Sequence, residues 1–211
     1  MLKARSGENL ENTEKILNVL KEKVHRYCTP LRLNHIKGVS KLSRELARQY
    51  LVDIQETDIA AWAHDMFRDV SSEKLLSMAR DYGINISDIE EKKPILLHGK
   101  LAAIYLKKHF DVDDEIFEAV YWHITGYPGL SILGKILMVA DMAEEGRSFE
   151  SARIIRTIAK KDLEEAFKNV IRLKVKWAVE SGLFIPVELA MTWNYLLGGV
   201  SLGGNKGSQK E

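Results

Sequence analysis

The chain predicts an all-α protein, a bundle of about eight to ten helices. Apolar residues recur with helical periodicity through most of its 211 positions, and only four prolines interrupt them. No alternation of apolar and polar residues runs long enough to suggest a sheet. Capping residues and glycines recur at the ends of the periodic runs, so most elements can be framed from the sequence.

Taken in order, Asn12 stands before TEKILNVL as the first start signal. Thr29-Pro30 suits the entrance of the next helix, because proline is tolerated in a first turn. Ser71 or Ser72 precedes EKLLSMA, Asp113 precedes DEIFEAV, and Asp162 precedes LEEAFKNVI. Stops are expected at Gly83, Gly126, Gly146 and Gly182, each just after a periodic run. Residues 1–10 read as an N-terminal tail and 11–197 as a single domain. The segment GGVSLGGNKGSQKE, 198–211, is glycine-rich and polar and reads as a flexible tail.

Composition narrows the function classes. Apolar residues make up 45% and charged residues 29%, an ordinary globular balance. A formal net charge of +1 provides no global field for nucleic acid or an acidic membrane. The basic run KNVIRLKVK, 168–176, reads as a solvated helix face. Cys28 stands alone, which excludes an internal disulfide, fits a reducing compartment and argues against a thiolate metal site. The first fifteen residues lack the apolar core of a signal peptide. No apolar stretch approaches the roughly 20 residues that span a bilayer. A cytoplasmic location is expected, with neither nucleic acid nor membrane as partner. The apolar content of the C-terminal helices would allow a homodimer.

The stretch AWAHDMFRDV, 61–70, sets an imidazole beside a carboxylate in an apolar run, and burying both is costly unless something pairs with them. The same pattern recurs. His35 lies in LRLNHIKGVSKL, His64 and Asp65 in AAWAHDMF, His98 in ILLHGKLAAIYL, His123 in EAVYWHITGYPG, and Asp141 in ILMVADMAEEG. Each is a polar group in the most apolar part of its own segment, the face that points at a core. Imidazole and carboxylate together suit a divalent ion such as iron, manganese, zinc or cobalt. Four histidines and two aspartates exceed what one ion with an open position requires, whereas two ions sharing Asp65 would use all six. His25 and His109 lie in polar surroundings and do not join the set.

The order His35, His64-Asp65, His98, His123, Asp141 resembles that of HD-domain phosphohydrolases in their two-metal form. The segments HITGYPGLSILGKILMVADMAEEGR (123–147), LRLNHIKGVSKLSRELARQY (31–50) and PVELAMTWNYLL (186–197) resemble the YqeK family. Its members are bacterial symmetrical bis(5'-nucleosyl)-tetraphosphatases, which split diadenosine tetraphosphate into two ADP. The likeness runs from about Leu31 to Leu197. It implies that His35, His64, Asp65 and Asp141 hold one metal, and that Asp65, His98 and His123 hold a second. It also implies a di-iron cofactor, while the sequence itself permits manganese or another divalent ion. This chain departs from the family pattern at Met66, Phe67 and Arg68 after the HD pair, at Tyr127 and at Glu145.

Hydrolysis of a tetraphosphate would then proceed by attack of a metal-bridging hydroxide, since metal binding draws the pKa of water toward about 7. Asp65 and Arg68 are the expected catalytic residues. Arg32, one turn before His35, Arg147, past the Asp141 segment, and the Thr125-Gly126 pair are the expected substrate contacts. Each has a plainer alternative, a surface arginine or a helix stop. Asp69 would orient Arg68 or a ligand histidine, or simply end a helix. Phe67, Trp122 and Tyr127 could stack on a base or fill the core. Lys135, six residues from Asp141, falls on a different face. Two other functions stay open, hydrolysis of another nucleotide phosphate and a nucleotide-sensing module without turnover.

Overall fold

A computed structural model describes residues 7–198, with side chains from Thr13 onward. Among these residues there are eleven α-helices and no strand. They are α1 (Gly7–Tyr27), α2 (Pro30–Gln49), α3 (Ile54–Ala63), α4 (Ser72–Asp81) and the short α5 (Asp88–Lys92). A 3₁₀ turn (Pro94–Leu97) leads into α6 (His98–Phe110), followed by α7 (Asp114–Trp122), α8 (Ile132–Ala143) and α9 (Glu150–Ala159). The long α10 (Leu163–Glu180) and α11 (Val187–Leu196) complete the bundle. No helix among the described residues is long and apolar enough to cross a membrane.

Local chemistry explains most of the boundaries. Thr29, Ser71 and Asp162 cap α2, α4 and α10, each side chain accepting a backbone N–H of the first turn. Pro30 occupies the first turn of α2. Gly83, Gly126 and Gly182 take positive φ just past their helices, as the stop signals predict. Two boundaries differ from expectation. The first helix starts at Gly7 rather than after Asn12, so it takes in the end of the predicted tail. Helix α8 stops at Ala143, before Gly146, because Glu144 turns its backbone away as the C-cap. The predicted C-terminal tail lies outside the described residues except for Gly198.

Two helices are buried nearly all round, and they position the site. Every residue of α3 from Thr57 to Ala63 is buried, and its neighbours are α1, α2, α6, α7 and α8. Helix α8 is likewise apolar on most sides and packs against α2, α3, α7, α9 and α10. A helix without a polar face belongs in a core rather than on a surface. A smaller cluster formed by Leu75, Ala79, Leu97 and Leu101, with Phe67 and Val70 against it, fixes the loop after α3.

Candidate metal centre and its cavity

The six ligand-type residues converge from five helices and their ends. His35, His64 and Asp141 form one group, and Asp65, His98 and His123 form another. Within each group the candidate ligand atoms lie within 4.8 Å of one another. Asp65 joins the two groups. Its Oδ1 lies 3.0 Å from His98 Nε2 and 3.9 Å from His123 Nε2. Its Oδ2 lies 3.7 Å from Nε2 of both His35 and His64.

Three of the histidines reach the site from helix ends rather than from helix interiors. His64 caps the C-terminus of α3, His123 caps that of α7, and His98 opens α6. Each ring uses Nδ1 in the same way, on a carbonyl three residues back. His64 meets Ala61 O at 2.6 Å, His98 meets Ile95 O at 2.5 Å, and His123 meets Val120 O at 2.7 Å. A carbonyl only accepts, so Nδ1 donates in all three and Nε2 keeps its lone pair. Helix ends suit this arrangement because their terminal carbonyls lack helical partners.

The resulting donor set asks for a cation. His98 and His123 face each other Nε2 to Nε2 at 3.1 Å, with neither nitrogen holding a proton to share. Buried His64 Nε2 has no hydrogen-bond partner among the described residues. Inward lone pairs beside two carboxylates fit a centre of two divalent ions, with outer hydrogen bonds fixing the rings.

His35 is held differently. Its Nδ1 lies 3.2 Å from Glu144 Oε1 and its Nε2 lies 3.1 Å from Asp141 Oδ1. Burial opposes its charged form, yet the Asp141 hydrogen bond and charge raise its pKa. Burial lowers the pKa of His64, and that of His123 to about 3, with His98 and His64 adding to the effect at His123. Asp65 and Asp141 are held well below the carboxylate range despite burial. The main causes are His64 and His98 at Asp65, and His35 and His64 at Asp141.

Glycines at two positions permit this closeness. A Cβ on Gly99 would stand 2.7 Å from His123 Cε1 and 3.0 Å from Val120 O, so α6 approaches α7 only without one. A Cβ on Gly38 would collide with the Glu144 carboxylate.

The centre opens on a cavity of about 810 Å³ lined by Arg32, Arg68, Arg147, Lys174 and Lys176. Arg32 donates from Nη1 to Asp65 Oδ2. Arg147 approaches Asp141 Oδ1 at 3.5 Å. Arg68 is half-buried; its backbone N–H donates to Asp65 O at 3.0 Å, while its guanidinium has no hydrogen-bond or ion-pair partner within the described residues. Asp69 serves Arg32 rather than Arg68, accepting from Thr29 N at 3.0 Å and Thr29 Oγ1 at 2.8 Å and facing Arg32 Nε at 3.5 Å.

The cavity wall corrects several expectations. Thr125 lines a separate, smaller cavity and turns its hydroxyl to Gly126 O, so it does not reach the centre. Gly126 closes the turn that follows α7 at φ 71°, its N–H donating to Trp122 O, and a Cβ there would stand 3.0 Å from the side chains of Ile171 and Thr192. Phe67 meets Tyr105 edge-on and Tyr127 stacks on Trp122, and none of Phe67, Trp122 and Tyr127 lines the large cavity. The run 168–176 is not wholly solvated, since Lys174 and Lys176 line the cavity. Lys174 and Glu144 are the two residues that sequence patterns do not single out. Lys174 lies four residues after Val170, a buried position of α10, and that spacing is the only signal for it.

Comparisons with known proteins bear on this geometry. The family model described as HD domain matches residues 32–146, which take in all six ligand-type residues. A symmetrical bis(5'-nucleosyl)-tetraphosphatase of Halalkalibacterium halodurans is 29% identical over 82% of this chain and 93% of its own length. One of Bacillus subtilis is 28% identical over 89% and 99%, and one of Staphylococcus aureus is 27% identical over 87% and 94%. A crystal structure from Clostridium acetobutylicum, described as a predicted HD superfamily hydrolase involved in NAD metabolism, superposes with a TM-score of 0.81. That likeness has 27% identity and covers 86% of this chain and 96% of the other. With the HD-domain match spanning more than half of the sequence, and with the HD pair lying at the junction of the two ligand groups, the chain belongs to the HD-domain family.

Proposed function

We propose that this chain is a metal-dependent hydrolase of dinucleoside tetraphosphates, adding one water to diadenosine tetraphosphate to release two ADP. The observation that carries the proposal is the Asp65 carboxylate, which directs one oxygen toward each histidine group at the floor of a cation-lined cavity. The names of the three bacterial relatives agree with it. His35, His64, Asp65 and Asp141 would hold one ion, and Asp65, His98 and His123 the other. Iron is the proposed metal and the cytoplasm the proposed location.

Two such ions, when bound, neutralise phosphoryl oxygens and lower the pKa of water. The chain supplies the rest. Among the described residues the Arg68 and Lys174 side chains have no hydrogen-bond or ion-pair partner, so they can meet phosphate oxygens, and the guanidinium of Arg68 can do so with two parallel hydrogen bonds. Arg147 and Arg32 add charge next to Asp141 and Asp65. His64 and His123 stay neutral at physiological pH, so their Nε2 lone pairs remain available.

Anion-exchange analysis of products from diadenosine tetraphosphate, with iron-loaded protein and an Asp65→Ala control, tests the proposal. ADP as the sole product, lost in the variant, is the expected result. AMP with ATP would place the attack elsewhere, and no turnover by iron-loaded protein would remove the activity.

A further inference from the structure

The solvent side of α2 carries a stripe of cations remote from the metal centre. Lys37, Lys41, Arg44 and Arg48 are all exposed, and their spacing of four, three and four residues keeps them on one helix face. The stripe is about 16 Å long at 1.5 Å of rise per residue. Arg44 follows His35 by about two and a half turns, so the stripe faces away from the ligand groups. None of the four lines the cavity that opens on the centre. They border instead a shallow groove of about 270 Å³, together with Ser40, Glu45 and Trp62.

Little on this face neutralises the charge. Lys41 pairs with Glu145 at 2.7 Å, whereas the side chains of Lys37, Arg44 and Arg48 have no hydrogen-bond or ion-pair partner among the described residues. Glu45 is the one acid among the described residues of the groove wall. Trp62 extends the positive ground to α1, since Lys21 Nζ lies 5.5 Å from its ring centroid and His25 stacks on it at 6.2 Å. Like charges at such helical spacings repel, and a polyanion laid across them relieves the repulsion. The formal net charge of +1 conceals the stripe, because a sum over the chain does not register where cations gather. The expectation of no nucleic-acid partner, drawn from that sum, therefore does not reach this face.

The neighbouring residues select among polyanions. Protein interfaces are anchored by aromatic or apolar side chains, but Trp62 is only 6% exposed and the exposed residues beside the cations are Asn34, Glu45 and Gln49. A helix lying on a membrane turns an apolar face to the lipid, and that face of α2 is buried in the protein core. Nucleic-acid interfaces are instead polar and strongly positive, and a cationic groove tracks a single strand. Rises of about 6, 4.5 and 6 Å between successive cations suit a chain that carries one charge per nucleotide. We infer that this face of α2 docks a nucleic-acid strand through its phosphates, without reading its sequence. RNA and DNA strands are equivalent to such a surface. The binding function is separate from the hydrolytic site and does not depend on the proposed reaction.

Equilibrium binding of the full-length protein to labelled oligouridine and oligodeoxythymidine of about twelve nucleotides tests the inference. Neutralising three or four phosphates of a single strand gives a slope of log affinity against log salt of about −2 to −3. Affinity for both strands is therefore expected to fall roughly 20- to 50-fold between about 50 and 200 mM salt. Arg44→Gln/Arg48→Gln should weaken binding about ten-fold or more at the lower salt and flatten the slope by about 1.4, and Arg48→Gln alone by about 0.7. Both variants should keep the circular dichroism and the hydrolytic rate of the wild type. No binding at low salt, or binding unchanged in the double variant, would overturn the inference. Displacement of the strand by excess ADP would also overturn it, by placing the strand in the cationic cavity. A preference of more than about ten-fold for RNA would replace phosphate docking with recognition of the 2'-hydroxyl or the base. Binding to phosphatidylglycerol vesicles without binding to either strand would assign the stripe to a membrane surface instead.

Discussion

Glu144 Oε1 lies 3.2 Å from Nδ1 of His35, tying the end of α8 to the second turn of α2. The same carboxylate accepts the backbone N–H of Gly146 at 2.5 Å, so its direction is fixed from behind. Carboxylates on the outer nitrogen of a ligand histidine hold the ring in place and raise its basicity. Glu144 therefore belongs to the centre although it is not itself in either ligand group.

Replacing Glu144 with Gln should lower affinity at the His35–His64–Asp141 group by about 10- to 100-fold, the usual effect of losing such a partner. Chelator competition on the metal-loaded protein measures this directly. Circular dichroism should remain that of the wild type, because Gln fills the same space beside Gly38.

Gly99→Ala makes the complementary test on the other group. The added methyl would stand 2.7 Å from His123 Cε1, so the ring must move or α6 must shift from α7. Metal analysis should show one ion per chain retained and the second bound at least about ten-fold more weakly, as for other disturbances of ligand orientation. Two tightly bound ions in this variant would mean that His123 is not needed for the second.

How far the sequence reached can be judged from particular residues. The all-α fold is legible because capping residues and apolar periodicity agree at α2, α4 and α10, and local signals of that kind survive without tertiary information. The six inward polar residues are legible because burying each would be costly alone. Their position at helix ends is not, since the carbonyl three residues back becomes an acceptor only where the helix stops. Lys174 was hidden in a run that looks amphiphilic and solvated, and only the crossing of α10 over α8 turns it toward Asp141. Thr125-Gly126 misled in the opposite sense, because a hydroxyl beside a glycine describes a helix stop as well as it describes a phosphate grip.

Acid should destabilise the metal-free protein in a defined window. His64 and His123 have lowered folded pKa values, that of His123 about 3, so below about pH 6.5 the unfolded chain binds more protons at these positions than the folded one. Stability therefore falls as pH drops below about 6.5, by up to about 1.4 kcal/mol per pH unit for each group. His35, with its raised value, contributes stability that is complete below about 6.5 and is lost only as pH rises through its folded pKa. Asp65 and Asp141 lose their contributions at still lower pH, below the ordinary carboxylate range. Urea unfolding of chelator-treated protein at pH 7 and pH 5 should show the midpoint falling, and His123→Asn should reduce the difference. Equal midpoints at the two pH values would contradict this assignment.

The cavity wall yields a prediction in which two substitutions must behave in opposite ways. Lys174 presents an ammonium to the cationic cavity, and burial together with Arg147 lowers its pKa while Asp141 opposes this. A charged group that gives up hydration there recovers it only by meeting an anion, so its hydrogen bond to phosphate is worth about 1.5–3 kcal/mol. Lys174→Met removes the charge, keeps the apolar stem and breaks no ion pair among the described residues. The Michaelis constant for diadenosine tetraphosphate should rise about ten-fold or more. Thr125→Ala removes a hydroxyl that, among the described residues, bonds only to the adjacent Gly126 carbonyl and lines a different cavity, so steady-state constants should stay within about two-fold of wild type. If Thr125→Ala were the damaging change and Lys174→Met the silent one, the phosphate path would run along the end of α7 instead of along α10.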